Sequence, residues 1–131
     1  MKFLKPLLFI AAITSLSFVT INNGLPAWKF IADKNVRFGA DHDVIHVTGN
    51  DAYRQLKLRV TDAPLKINDM KVYFENDEVF DVSVRSEIRM GGESRVIDLP
   101  GGVRRLKRIE FWYSTIGVAK GTSRVAVWGK R

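Results

Sequence analysis

The sequence predicts an antiparallel β-sandwich of roughly seven to nine strands, with a jelly roll among the forms open to it. Three observations carry this. Apolar and polar residues alternate with a period of two in one segment after another, the mark of strands buried on one face. Turn residues separate these segments at intervals of about 8–12 residues. No segment keeps the stripe of an amphipathic helix.

Two early segments, Trp28–Phe38 and Val44–Val47, alternate least regularly. Gly39-Ala40-Asp41-His42-Asp43 and Gly49-Asn50-Asp51 supply turns around them. Leu56, Leu58 and Val60 then alternate with Lys57, Arg59 and Thr61. Met70, Val72 and Phe74 alternate with Lys71, Tyr73 and Glu75, and Phe80, Val82 and Val84 with Asp81, Ser83 and Arg85. Asn76-Asp77-Glu78 between these two runs reads as a hairpin loop. Gly91-Gly92 marks the next turn, and Ile97 and Leu99 flank Asp98. Pro100 ends that strand, because it cannot donate a ladder hydrogen bond, and Gly101-Gly102 allows the tight turn that follows. Ile109, Phe111 and Tyr113 alternate with Glu110 and Trp112, and Val125 and Val127 with Ala126 and Trp128.

The first 27 residues read differently. Lys2 and Lys5 precede an apolar run from Leu7 to Val19, followed by Asn22, Asn23, Gly24, Pro26 and Ala27. A basic start, an apolar stretch of this length and a small residue near its end form a secretory signal. The run is shorter than the roughly 18 residues of a membrane span. The expected mature protein is therefore one domain, residues 28–131, exported to the periplasm or beyond, with no transmembrane span. Leu25-Pro26-Ala27 matches the cleavage pattern loosely, so retention as an N-terminal anchor is the alternative. There is no cysteine. Disulfides and a lipid-modified cysteine anchor are thus excluded, and packing alone must stabilise the fold.

The net charge is +7. It is unevenly spread. Residues 28–84 carry eight Lys/Arg against ten Asp/Glu, whereas residues 85–131 carry eleven against four. A basic C-terminal half points to anionic partners, though nucleic acid is disfavoured by the export signal.

Five blocks occur in order: Asp41-His42-Asp43-Val44-Ile45; Leu58-Arg59-Val60 with Asp62-Ala63-Pro64; Met70-Lys71-Val72-Tyr73-Phe74; Ser94 to Gly102 (SRVIDLPGG); and Ile109-Glu110-Phe111-Trp112-Tyr113. In these the chain resembles a family of small exported bacterial proteins, YaaI-like, known only as a domain of unknown function. The resemblance implies export, a compact β fold and no assigned activity. It carries no catalytic residues over to this chain.

Four groups of residues invite a functional reading. Asp41, His42, Asp43 and His46 could ligate a metal or supply an imidazole base. Two carboxylates and two imidazoles fit neither a calcium loop nor a spaced zinc set. The plainer reading is an Asx-turn at Asp41 or Asp43 leading into a strand that starts near Val44. No Gly-x-Ser-x-Gly elbow marks a nucleophile. Neither an enzyme nor a metal or cofactor is therefore expected.

Arg104, Arg105, Lys107 and Arg108 form the densest basic cluster, suited to anion contact because guanidinium forks match phosphate, sulfate and carboxylate. The inward phase of Ile109, Phe111 and Tyr113 would bring Arg105 and Lys107 inside. Either the strand starts near Lys107 or a bulge lies beside Leu106. A solvated strand entrance is the plainer alternative. Last, Trp112 and Trp128 fall out of phase with the apolar residues of their strands, and Trp28 sits at the start of the domain. Outward indoles stack on sugar rings, unless another segment covers them. The expected function is a non-catalytic envelope or extracellular binding module. Its partners would be an anionic polymer, a glycan or another envelope protein. The alternatives are a structural, protein-interaction domain and, behind it, a small metal-dependent hydrolase.

Overall fold

In a computed structural model the protein is described over residues 27–39, 41–115 and 122–131. The expected signal segment, up to residue 26, and Ala40 of the first turn lie outside them. The described residues form ten strands and no helix. They are β1 (Lys29–Arg37), β2 (His42–His46), β3 (Ala52–Tyr53), β4 (Gln55–Thr61), β5 (Leu65–Phe74), β6 (Val79–Val82), β7 (Ser86–Ile88), β8 (Ile97–Asp98), β9 (Arg104–Thr115) and β10 (Thr122–Lys130).

All pairings are antiparallel, in two sheets. The smaller runs β1-β10-β4-β8. The larger runs β2-β9-β5-β6, with β3 also on β9 and β7 also on β5. The strand count exceeds the expected range because two edge columns are interrupted. β2 and β3 follow one another along β9, broken at the Gly49 turn, and β6 and β7 follow one another along β5. Each sheet is thus four columns wide. First pairs with last, and the chain crosses between sheets in the order of two Greek keys, which is a jelly roll.

The alternating residues build the core between the sheets. Leu56, Leu58 and Val60 of β4 and Val125 and Val127 of β10 face Met70 and Val72 of β5 and Ile109 and Phe111 of β9, all fully buried. Each fully buried side chain of this size contributes about 1.5–3 kcal/mol. The hairpin at Asn76 forms as expected. Asp77 N–H donates to Phe74 O at 3.0 Å and Phe74 N–H to Glu78 O at 2.9 Å, with Asp77 at φ 70°. This is a three-residue loop closed by a left-handed position. The SRVIDLPGG block is explained by its bonds to β4. Ser94 Oγ accepts Leu58 N–H at 2.8 Å, Ile97 and Leu99 enter the core, and Gly101 and Gly102 take φ 87° and 85°.

Three bulges set which side chains face outward. β9 is inward at Leu106 and again at Ile109, because Tyr73 pairs with Arg108 and Phe74 with Leu106. Lys107 is the extra residue. Of the two expected ways to resolve the phase conflict, the bulge occurs, and the strand runs back to Arg104. A second bulge places Asn68 between Ile67↔Tyr113 and Asp69↔Trp112. A third lies at Ile31 in β1.

Candidate functional site

The outer face of the larger sheet gathers the richest set of polar and aromatic side chains. Its register stacks three rows across the strands. They are His42–Trp112–Asp69, Val44–Glu110–Lys71–Asp81 and His46–Arg108–Tyr73–Val79. Trp112 is half-buried at the centre of the first row. Its ring lies 4.9 Å from that of His42, tilted by 35°, and Lys71 Nζ lies 5.8 Å from the ring centre.

Glu110 ties the rows together. His42 Nε2–H donates to its Oε2 at 2.7 Å and the Tyr73 hydroxyl donates to its Oε1 at 2.8 Å. The Tyr73 bond is the main reason the carboxyl is held below its ordinary range. Partial desolvation opposes this, and His42 and Arg108 add to it. Arg108 stacks 3.9 Å from the centre of the Tyr73 ring. The face therefore offers an indole, a phenol, three carboxylates, two imidazoles and two cations, held in register across β2, β9, β5 and β6.

His42 and His46 share this exposed face, as strand alternation requires. β2 begins at His42 rather than near Val44. At Asp43 the Asx-turn expectation is replaced by a cross-strand contact. Asp43 Oδ2 accepts the Tyr113 hydroxyl at 2.9 Å, with Lys34 Nζ 3.8 Å from Oδ1. Burial first, then Asp43, pushes the Tyr113 hydroxyl well above the usual phenol range. Among the described residues no three His, Asp or Glu side chains are grouped to hold a metal ion.

The basic cluster is divided. Arg104 pairs with Glu78, donates to Pro100 O at 2.9 Å and lies 3.9 Å over the Phe74 ring. Lys107, the bulge residue, pairs with Asp77 at 3.0 Å. Arg108 belongs to the outer face, and Arg105, opposite Ala52, is exposed. The two outward tryptophans are also separated. Trp112 is on the larger sheet and Trp128 on the smaller, where Phe30 meets it edge-on at 5.6 Å. Trp128 Nε1 is buried with no hydrogen-bond partner among the described residues. Tyr73, Lys71 and Glu110 have no distinguishing signal in the sequence beyond their outward phase.

The architecture defines an all-β jelly-roll domain with one polar and aromatic sheet face. The chain belongs to the family described as "Domain of unknown function (DUF2541)", which matches residues 7–129. That match agrees with the resemblance in the five sequence blocks and does not address the YaaI likeness. No curated protein matches the chain. Among solved structures it is similar to AlgX of Pseudomonas aeruginosa, described under "Structural and functional characterization of Pseudomonas aeruginosa AlgX". The identity is 11% and the TM-score 0.49, over 79% of this chain and 26% of AlgX. The match thus spans about a quarter of that protein, and likeness at this level says nothing about ligand or site.

Proposed function

We propose that the protein is an exported, non-catalytic binding module of the cell envelope or extracellular space, and that the outer face of its larger sheet takes a sugar-bearing polymer. The observation that supports this best is the setting of Trp112. A pyranose ring presents a face of C–H groups that packs on an indole, and its rim of hydroxyls needs donors and acceptors beside that indole. His42, Lys71, Asp69 and Glu110 supply both around Trp112. A face made of paired strands is extended in two directions, which suits a chain of sugars better than a single small molecule. Export rests on Lys2, Lys5 and the apolar run Leu7–Val19. The surface network costs little to keep and adds little stability, so its presence on one face is consistent with a recognition role.

A second reading, anionic polymer binding, draws on exposed Arg105 together with Arg108 and Lys71 of the same sheet. One experiment separates the two. Binding of the purified protein to a panel of neutral and acidic envelope polysaccharides is measured at low and high salt, alongside Trp112→Ala and Arg105→Glu/Arg108→Glu. Salt-resistant binding lost in Trp112→Ala supports the stacking face. Binding that fades with salt and is lost in the charge reversals moves the assignment to the cations. No binding to any polymer rejects both and leaves a domain whose partners are other proteins.

A further inference from the structure

The outer face of the smaller sheet is built from different material. Phe30 of β1 is 51% exposed and packs edge-on against Trp128 of β10. Lys57 of β4 is the register partner of Trp128, and its ammonium lies 4.4 Å from the centre of the Trp28 ring. Val96, one residue out of phase with buried Ile97, adds another apolar group that is 43% exposed. Among the described residues the buried Trp128 N–H has no acceptor, so this indole contributes a hydrophobic surface rather than a polar handle. Scattered exposed apolar residues need no explanation, but three aromatic rings gathered on one sheet face do.

Cations border the rings. Lys130 Nζ lies 5.7 Å from the Trp28 ring, and Arg59 of β4, in the same outward phase as Lys57, is exposed. The carboxylates of this face are engaged: Glu93 with Lys57, Asp33 with Arg124 and Asp98 with Gln55. Aromatic rings rimmed by lysine and arginine are the composition that settles at the boundary between lipid headgroups and acyl chains. The chain also enters the fold at this point. The apolar run Leu7–Val19 ends about eight residues before Trp28, a reach of at most ~30 Å. Where that run is retained as an anchor, it holds this edge of the sandwich beside the membrane.

We propose that the outer face of the smaller sheet, with Trp28, Phe30 and Trp128 as its apolar centre and Lys57, Arg59 and Lys130 around them, docks on a bilayer surface bearing acidic phospholipids. Trp112, on the other sheet, then faces away from the membrane and leaves the candidate polymer face open.

The three tryptophans make the test direct. The full-length chain is reconstituted with vesicles of phosphatidylethanolamine and phosphatidylglycerol whose acyl chains are brominated. Three variants each keep one reporter, by combining two of Trp28→Phe, Trp112→Phe and Trp128→Phe. Emission from Trp28 and Trp128 is expected to be quenched several-fold more than emission from Trp112. Replacing phosphatidylglycerol by phosphatidylcholine, or introducing Arg59→Glu with Lys130→Glu, should shrink that contrast. Equal quenching of Trp112 and Trp28 would overturn the proposal. So would a contrast indifferent to both changes. Absence of quenching at all three in chains that float with the vesicles would overturn it too, including the case in which a second copy or another protein covers this face.

Discussion

The two outer faces of the sandwich start from similar sequence signals and arrive at different chemistry. Each displays an outward tryptophan on a central strand, with a lysine on the neighbouring strand beside it. On the larger sheet Trp112 is bordered by a connected set of donors and acceptors, from His42 through Glu110 to Tyr73. On the smaller sheet Trp128 is bordered by Phe30, with Trp28 under the ammonium of its register partner Lys57, and its own N–H has no partner among the described residues. An outward aromatic therefore has no fixed meaning. Its cross-strand partners decide whether it offers a wet, hydrogen-bonding platform or an apolar one.

Stability measurements break this comparison most sharply at Gly129, on the β10 strand that carries Trp128. A Cβ there would sit 2.5 Å from the Tyr53 ring and 2.7 Å from Ile31 Cδ1. Gly129→Ala is expected to cost about 1–3 kcal/mol through overpacking. The loss should appear as a lower midpoint in denaturant unfolding, with polymer binding by the folded fraction unchanged. Should Gly129→Ala instead weaken polymer binding at full stability, the two faces are not independent.

Trp112→Ala is the reciprocal change. Its indole is on the outer face and only half-buried, so the expected cost in stability is under ~1 kcal/mol. Its expected effect on polysaccharide binding is about tenfold or more, read by titration calorimetry. Trp128→Phe should leave that binding intact. Its stability should stay within ~1 kcal/mol of the parent, because the lost ring area is offset by removal of a buried unpaired donor. A loss of 2 kcal/mol or more in thermal unfolding of Trp128→Phe would mean that the N–H has an acceptor after all.

The acid response sharpens the contrast further. The Glu110 carboxyl is lowered in the folded state, first by Tyr73. A lowered carboxylate contributes stability that is complete above its ordinary value of about 4.3 and disappears as pH falls through the folded value. Unfolding profiles on acidification should therefore be less steep in Glu110→Gln. Identical profiles would show that the network on the larger sheet does not persist in solution. The smallest expected effect is that of Arg105→Glu. It should change stability by less than ~0.5 kcal/mol and alter only binding that is sensitive to salt.

The inward residues were readable because strand alternation is a local property. Leu56, Leu58 and Val60, or Ile109, Phe111 and Tyr113, lie two apart, and a pleated strand must send them to one side. The conflict at Arg105 and Lys107 was readable for the same reason, since Leu106 and Ile109 cannot both face inward without an extra residue between them. The boundary of β2 was misplaced because His42 and Asp43 resemble turn residues. Their pairing with Trp112 and Phe111 on β9 outweighs that preference.

The polar network was not readable. His42 and Tyr73 meet Glu110 from positions 68 and 37 residues away along the chain. The charge asymmetry between the two halves did not survive folding either. β9 and β10, from the basic half, sit in the interior of their sheets, flanked by β2, β5, β1 and β4 from the acidic half. Asp77, Glu78 and Asp33 then reach Lys107, Arg104 and Arg124. The sequence by itself determined the strand class, the inward side of each main strand, the turns and a core without disulfides, because these depend on neighbours within a few residues. Only the tertiary structure decided which outward side chains share a face, because strand order brings distant segments together and side-chain contact depends on that order alone.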